Sequence, residues 1–377
     1  MDTMTDTTTA VSFRCDKDTL ADGLTVAFRA SPLKATSAAL SGVLLDADPE
    51  GLVRLSATDG ELTIRTSVPA EVDRPGEAVL HRLFGEIVRS LSHGAVELVV
   101  DDTGVADISA GRSHFSLRTY PRGDFPSLPD TGGEAVGVPA AMLPGAIDQV
   151  VTAASSDRGR PILMGVLVEP TETGLRLVAT DSYRLALREV SIPGVLAAGE
   201  KALVPARALS ELSRLAAAAG PEDAVEIRFG ERLATFQAGR TSVTTTLIDE
   251  VFPSYEQLLP EHYPNKLEFD RSDLLDALRR VSLLAKDSTP VRLTLGGDVV
   301  RLRAIDPELG GEADEEIDAS YSGEPMTIAF NPGYLRDAVD SCTTETVHMD
   351  TLEPLKPAML SEPGSRAYLH LLMPVRV

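Results

Sequence analysis

The stretches GLVRLSATDGELTIR at 51–65 and GLRLVATDSYRLALR at 174–188 indicate the fold most directly. Each carries an Ala-Thr-Asp triplet after an alternating apolar run, and Asp181 follows Asp59 by 122 residues. A weaker third copy, VVRLRAIDPEL at 299–309, ends its Ala-Ile-Asp triplet 125 residues further along. A repeat period of about one domain predicts three equivalent structural units in one chain.

Other landmarks recur in the same order and with the same period. They are LSGVLL at 40–45 with LMGVLV at 163–168, FPSLP at 125–129 with FPSY at 252–255, and the Gly-Arg or Gly-Ser-Arg starts of strand-like runs at 111, 239 and 364. The boundaries between units fall in loops that are flanked by Gly or Pro. We therefore expect a disordered tail and three domains, at 1–10, 11–132, 138–262 and 263–377.

Within each repeat the apolar pattern switches between two periods. Runs such as LVRLSA, TSVTTT and VRLTL alternate as half-buried strands do. Six segments have helical spacing, and a Ser or Asp cap precedes LLDALRRVSLLA. The predicted helices are Lys17–Ala30, Leu83–Ser92, Ala141–Ser155, Ala206–Ala219, Ser272–Ala285 and Pro332–Ser341. The fold class is therefore α+β, with amphipathic helices that cover one side of a sheet.

The charge of the chain constrains its partners. The net charge of −22 over 377 residues argues against nucleic acid, because Lys and Arg supply most of the affinity for phosphates. A whole-chain sum hides distribution, however, and a basic surface can be confined to one face of an acidic protein. The N-terminus, MDTMTDTTTA, has no basic residue and no apolar run, and no apolar stretch approaches about 18 residues. We expect a cytoplasmic protein without a signal peptide or membrane span.

Nothing in the sequence predicts catalysis, a metal or another cofactor. Cys15 and Cys342 stand far apart and outside any metal or redox spacing, so incidental thiols are the favoured interpretation. Nucleophile elbows, phosphate-binding glycine loops and metalloprotease motifs are missing from the sequence, and its six histidines are scattered. Asp59 and Asp181 recur in separate repeats, so we interpret them as turn residues rather than as a catalytic pair.

Three runs carry a resemblance to a known family: VATDSYRLAL at 178–187, FPSYEQLLP at 252–260 and MPVRV at 373–377. They resemble the bacterial β sliding clamp, the β subunit of DNA polymerase III, in an actinobacterial or accessory copy. The resemblance implies three clamp domains per chain in a head-to-tail homodimeric ring, with helices inside and sheets outside. It implies a nucleoid-associated, non-enzymatic processivity factor that encircles duplex DNA without sequence preference. An ATP-driven clamp loader would place the ring.

The resemblance also implies a DNA channel, and positive charge concentrates on or beside the predicted helices. Solvated helix faces paired with neighbouring acids are the alternative. Lys34 aligns with a family position that touches DNA. The predicted channel residues are Arg29, Lys34, Arg82, Arg89, Arg158, Arg207, Arg214, Arg279, Arg280, Lys286 and Arg336.

A peptide-binding groove is the third implication of the resemblance. It would take short linear motifs, with a leading Gln and later Leu and Phe, from the DNA polymerase III α subunit and other polymerases. Aliphatic and Met side chains would form an apolar slot, and Arg, Asn and Tyr at its edge would fix the peptide backbone. The matching residues are Arg160, Leu163, Thr180, Ser182, Tyr183, Arg184, Leu185, Pro253, Leu258, Asn331, Tyr334, Leu355, Leu371, Met373, Pro374, Val375 and Arg376.

Two alternatives stay open for this groove. Without the resemblance, ATDSYRL is a plain hairpin and MPVRV an ordinary edge strand. Ser182-Tyr183 also replaces the Gly-His that is usual in the family. The change fits either lineage drift or an accessory, inhibitor-resistant clamp with an altered pocket.

The family ring places the edge strand 111–119 of one chain against the third domain of the other. Opposite charge and exposed apolar residues would favour this contact, and two such contacts close a ring. A solvated loop is the alternative for the acidic part. The predicted interface residues are Arg112, His114, Phe115, Leu117, Leu283, Leu284, Glu308, Glu312 and Glu315.

Overall fold

The structure is a computed structural model that describes residues 9–32, 37–220, 222–260, 262–285 and 289–376. The chain divides into two compact units, one of Met1–Ala141 with Arg214–Thr246 and one of Met142–Ser213 with Leu247–Val377. Strands outnumber helices throughout the described residues, so the predicted α+β class is confirmed.

The first repeat contains nine strands and two helices. Its helices are α1 (Lys17–Ala27) and α2 (Leu83–Ser90). The side chain of Asp16 caps α1 by accepting a hydrogen bond from the backbone of Thr19. The strands are β1 (Thr9–Asp16), β2 (Val43–Ala47), β3 (Leu52–Thr58), β4 (Leu62–Pro69), β5 (Glu71–Arg74), β6 (Gly76–Leu80), β7 (Ala95–Asp101), β8 (Val105–Ala110) and β9 (Ser113–Arg118).

The second repeat has the same order with eight strands. Its helices are α3 (Pro144–Val151) and α4 (Ala206–Ala218). The strands are β10 (Val136–Pro139), β11 (Gly165–Pro170), β12 (Leu175–Thr180), β13 (Arg184–Val190), β14 (Ala202–Pro205), β15 (Ala224–Phe229), β16 (Leu233–Ala238) and β17 (Thr241–Thr246). Because β11 is buried on both faces, its first four residues, 165–168, are continuously apolar rather than alternating.

The third repeat again has eight strands and two helices. Helix α5 (Arg271–Val281) is capped by Asp270, which accepts hydrogen bonds from two backbone N–H groups, whereas the Ser and Asp predicted as caps directly ahead of Leu274 lie inside the helix. Helix α6 (Pro332–Asp340) is capped by Asn331, with proline at its first position. The strands are β18 (Asn265–Asp270), β19 (Val291–Gly296), β20 (Val299–Asp306), β21 (Gly311–Ser322), β22 (Met326–Phe330), β23 (Thr346–Thr351), β24 (Ala358–Ser361) and β25 (Tyr368–Leu372).

These strands form three sheets within the described residues, each inside one unit. The first unit contains a five-stranded sheet in the order β5-β1-β7-β8-β9 and an eight-stranded sheet in the order β10-β15-β16-β17-β4-β3-β2-β6. The second unit contains a twelve-stranded sheet in the order β14-β11-β12-β13-β25-β24-β23-β18-β21-β20-β19-β22.

The sheet order explains why the units do not coincide with the repeats. Strand β17 of the second repeat pairs with β4 of the first, whereas β13 of the second pairs with β25 of the third. Half of the second repeat therefore extends each neighbouring sheet. The predicted domain boundaries, which follow the repeat, stay a prediction.

One detail of the prediction was wrong, and the structure contradicts two of the alternatives. Helix α3 begins only at Pro144, because the preceding residues 140–142 form a 3₁₀ turn. The acidic stretch 311–322 is strand β21, paired with both β18 and β20, and is not a solvated loop. The final residues are not an edge strand: β25 ends at Leu372, between β13 and β24, and the following residues leave the sheet.

Candidate functional site

A tight turn between β12 and β13 forms the centre of the site. The carboxylate of Asp181 accepts hydrogen bonds from the backbone N–H groups of Tyr183 and Arg184, at 2.9 and 3.0 Å. The hydroxyl of Thr180 accepts one from Ser182 and donates one to the carbonyl of Arg184. Asp181 is thus a turn residue, as predicted.

Ser182 adopts a backbone conformation that favours glycine. Its φ of +82° is the one positive value among the non-glycine residues that the structure describes. The surrounding hydrogen bonds hold it there, and its hydroxyl accepts a hydrogen bond from the Arg160 guanidinium at 3.2 Å. Arg160 also binds Asp157 at 3.0 Å. The replacement of glycine by serine therefore couples the turn to an arginine.

Arg184 is a buried support of the site rather than a group free to fix a peptide backbone. Its guanidinium donates to Asp181 at 3.1 Å and to Asp337 at 2.8 Å, and only 10% of the side chain is exposed. The burial of His370 is the larger cause that lowers the pKa of this histidine, to about 3, and the nearby charge of Arg184 is the next. The imidazole is therefore neutral near pH 7.

An aromatic pair covers this arginine. The guanidinium of Arg184 lies 4.4 Å from the ring centre of Tyr334. The ring of Tyr183 stacks beside Tyr334 with a centroid distance of 6.3 Å and an angle of 27°. Burial, and next the charge of Asp181, raise the pKa of Tyr334, so its hydroxyl stays protonated at neutral pH. Tyr183 remains 58% exposed and available to a ligand.

Two backbone hydrogen bonds fix the C-terminal segment beside this pair. The backbone N–H of Met373 donates to the carbonyl of Tyr183 at 2.9 Å, and that of Val375 donates to Ala329 at 2.7 Å. Both side chains remain exposed. The structure therefore brings Met373 and Tyr183 together, as predicted. Asn331 uses its side-chain oxygen to cap α6 at Tyr334, which positions that helix.

The floor of the site is apolar. Leu185 and Leu371 are opposite each other in the β13–β25 pair and belong to one buried cluster with Tyr255, Tyr263 and Met359. Leu163 is also buried, Pro374 is half-buried, and Pro253 and Arg376 are exposed. A buried apolar floor with exposed apolar side chains around it is typical of peptide-binding surfaces.

Most of the exposed apolar side chains fall in two sets: those of the predicted groove, and those at the two sides of the predicted interface, one side in each unit. Twelve large apolar side chains are exposed among the described residues. Five of them belong to the predicted groove: Tyr183, Leu258, Leu355, Met373 and Val375. Five more lie on or beside the predicted interface strands: Phe115, Leu283, Val299, Ile305 and Leu309. Apolar patches of this kind mark interaction sites on soluble proteins.

Sequence reasoning missed three of these residues. Val299 and Ile305 lie on the exposed face of β20, which alternates strictly between buried and exposed positions, and Leu309 follows the strand. The signal was the alternation in VVRLRAID. Its exposed positions carry Arg301 and Arg303 but also the apolar residues Val299 and Ile305.

Strand β9 is at the edge of its sheet and is almost fully exposed, as predicted for an interface strand. Arg112 and His114 are exposed, and Leu117 and Leu284 are half-buried. The acidic partners are less available, because Glu312 pairs with Arg303 and Glu315 with Arg280 within the chain. Glu308 is exposed.

The predicted channel arginines differ in their surroundings. Six are exposed at the ends or faces of helices or beside them: Arg29, Arg89, Arg158, Arg207, Arg214 and Arg279. Arg336 is also exposed and lies 3.3 Å from Asp337. Arg82 is half-buried over the Phe28 ring, and Arg280 donates to Glu315 at 2.7 Å. Lys34 and Lys286 lie outside the described residues.

The described residues contain neither a candidate metal site nor a candidate membrane-spanning helix. Across the described ranges, no group of three or more His, Cys, Asp or Glu side chains is placed to hold a metal ion. No helix in the same part of the chain is both long and apolar enough to cross a membrane.

The sequence matches three family models along its length. They describe the DNA polymerase III beta subunit: its N-terminal domain at residues 11–129, its central domain at 137–254 and its C-terminal domain at 256–376. Among curated relatives, the beta sliding clamp of Streptomyces coelicolor is 32% identical over 381 residues, covering 97% of this chain and 100% of the relative. That of Synechococcus elongatus is also 32% identical, covering 96% and 98%.

Solved structures of sliding clamps have the same fold. The DNA polymerase sliding clamp of Bacillus subtilis matches with a TM-score of 0.89 and 27% identity, covering 98% of this chain and all of that one. The clamp of Bartonella birtlesii, which was solved bound to griselimycin, matches with a TM-score of 0.90 and 30% identity, covering 97% and 100%. The chain therefore belongs to the DNA polymerase III beta subunit family, the bacterial β sliding clamps.

Proposed function

We propose that this sliding clamp works as a head-to-tail ring of two copies that encircles duplex DNA, and that the site around Tyr183 holds polymerase peptides. The clamp carries out no reaction of its own. A clamp loader places the ring on DNA in the cytoplasm, at the nucleoid. Processivity then arises from topology, so the DNA contacts can be weak enough to allow sliding.

The exposed apolar side chains of the predicted groove and of the two sides of the predicted interface are the observation that carries this proposal. One group surrounds the turn of Ser182 and Tyr183, above an apolar floor. Its edge can accept an extended peptide with large apolar side chains, because Met and Tyr adapt to varied ligands. The other group lies along β20 and on β9, where a second copy would bury it.

The distribution of arginines supports DNA encirclement by an acidic chain. Exposed arginines on α2, α4 and α5 would supply phosphate contacts, whereas the net charge of −22 would repel DNA from the remaining surface. Arg82 contributes less, because it is half-buried over the Phe28 ring. Lys34 and Lys286 remain proposed contacts.

Retention on circular DNA tests the proposal. After loading, the clamp should remain on nicked circular DNA during gel filtration and should leave once the circle is cut. Leu283, which is 79% exposed, provides the matched variant: Leu283→Asp should give monomers of 40.1 kDa by light scattering and should abolish retention. Val251→Asp is the control, because Val251 is 90% exposed and outside both groups. Equal retention on circular and linear DNA would contradict encirclement.

The alternative of an accessory, inhibitor-resistant clamp rests on one observation. Ser182-Tyr183 gives the site a strained serine and an exposed tyrosine where the family usually has Gly-His. A general clamp and an accessory clamp would both bind peptides. Inhibitor affinity separates the two functions when it is measured for the natural chain and for a Ser182→Gly, Tyr183→His variant. Tighter inhibitor binding by the variant favours the accessory clamp.

A further inference from the structure

The segment that connects β17 to β18 has one buried aromatic side chain in its middle. Residues 249–260 are exposed or half-buried except for Tyr255, of which only 3% is exposed. The ring of Tyr255 packs in the cluster of Leu185 and Leu371, the floor of the peptide site. Phe252 packs edge-on against it with a centroid distance of 6.5 Å. Leu259, which is half-buried, packs against the same cluster. Tyr255 is the aromatic peg of the segment, because it is the one buried side chain among residues 249–260.

A network of charges around the buried Glu169 holds the hydroxyl of this peg. Tyr255 donates a hydrogen bond to the carboxylate of Glu169 at 2.5 Å. Lys201 lies 2.8 Å from the other carboxylate oxygen, and Arg176 donates to the Tyr255 hydroxyl at 3.2 Å and to Glu189 at 2.6 Å. Hydrogen bonds to a charged acceptor at low dielectric are among the stronger ones in proteins.

The carboxylate of Glu169, which accepts this hydrogen bond, stays charged at neutral pH. Burial opposes the charged form of Glu169, but the hydrogen bonds from Lys201 and Tyr255 outweigh it and lower its pKa. Burial, followed by the hydrogen bond to Glu169, raises the pKa of Tyr255 to about 12. At neutral pH the tyrosine is therefore a donor and the glutamate a charged acceptor.

The peg connects directly to a wall of the peptide site. The backbone N–H of Leu258 donates to the carbonyl of Tyr255 at 2.9 Å, within one 3₁₀ turn of residues 256–258. Leu258 itself is 47% exposed. Because one short turn separates the two residues, the depth of the tyrosine sets the position of the leucine.

We propose that Tyr255 is a positioning residue for peptide binding: through its bond to Glu169 it holds Leu258 at the edge of the site. This inference rests on the proposed peptide-binding function and assigns a role to a residue that contacts no peptide. We therefore expect the Tyr255 hydroxyl to affect peptide affinity through Leu258 and not through Met373.

The test measures fluorescence anisotropy of a labelled peptide, with a Gln followed by Leu and Phe, on the full chain. Tyr255→Phe removes the hydroxyl and should weaken binding about tenfold, in line with a lost hydrogen bond to a charged group. Glu169→Gln should change the affinity in the same direction. The matched control is Tyr321→Phe, because the Tyr321 hydroxyl also donates a hydrogen bond, to the backbone carbonyl of Glu324, and neither residue belongs to the predicted site. This control should bind like the natural chain.

A double-mutant comparison separates positioning from general stability. In a Leu258→Ala chain, Tyr255→Phe should change the affinity less than about twofold, because the positioned group is gone. In a Met373→Ala chain it should keep its full effect. Equal effects in both chains, or natural affinity for Tyr255→Phe, would overturn the inference while the proposed function stands. A natural chain that fails to bind the peptide would overturn the proposed function and this inference with it.

Discussion

The turns at Asp59 and Asp181 have the same backbone but different surroundings. In each, the aspartate accepts hydrogen bonds from two N–H groups, at 2.8–3.0 Å. In each, the preceding threonine accepts one hydrogen bond and donates another across the turn. The next residue has a φ of +96° at Gly60 and +82° at Ser182. The Thr-Asp pair therefore determines this geometry in both repeats.

Even the connection to the next repeat is the same. The N–H of Thr246 donates to the carbonyl of Glu61, as the N–H of Met373 donates to that of Tyr183, both at 2.9 Å. The difference lies in the side chains. The first turn presents Glu61, whereas the second presents Tyr183 above a stacked Tyr334. The two turns therefore share one backbone geometry. Only the second turn brings its side chains against aromatic and charged partners, and this is the turn at which we propose peptide binding.

The largest expected effect comes from removing the two aspartates. Asp181→Ala should lower the free energy of unfolding by about 3 kcal/mol, because it also leaves the nearly buried Arg184 without one of its carboxylates. Asp59→Ala should cost about 1 kcal/mol for the lost turn hydrogen bonds. Urea unfolding measures both, and equal losses would break the comparison.

A smaller effect is expected at the residues that the turns expose. Tyr183→Ala should weaken binding of the labelled peptide about tenfold, the size typical of an exposed aromatic anchor, with little change in the thermal midpoint. Glu61→Ala should leave the affinity unchanged. Anisotropy titration gives the affinities, and equal affinity of Tyr183→Ala and the natural chain would remove the second turn from the site.

The smallest effect concerns the strained position. Ser182→Gly should stabilise the chain by up to about 1 kcal/mol, because glycine adopts positive φ without a steric penalty. The lost hydrogen bond from Arg160 offsets part of this gain. Gly60→Ser should destabilise by a similar amount, as measured by the unfolding midpoint. Destabilisation by Ser182→Gly would mean that the Arg160 contact outweighs the backbone strain.

Local patterns predicted the elements well, since their causes lie within a few residues. The six predicted helices appeared with small differences at their ends, and the Asp181 turn followed from neighbouring residues, whereas the cap of α5 is Asp270 rather than the predicted Ser or Asp directly ahead of Leu274. The groove residues came from the family resemblance. Their individual roles did not follow, because partners such as Asp337 for Arg184 are 153 residues away in sequence.

The sequence by itself determined the threefold repeat, the α+β elements and the family, because periodicity, capping and turn chemistry act over short distances. Only the tertiary structure showed that Arg184 is a buried support, that the Tyr255 hydroxyl donates to Glu169, and that Glu315 is paired with Arg280. These side-chain partners depend on strand pairing and packing between distant segments. A pattern of letters along one chain does not fix them.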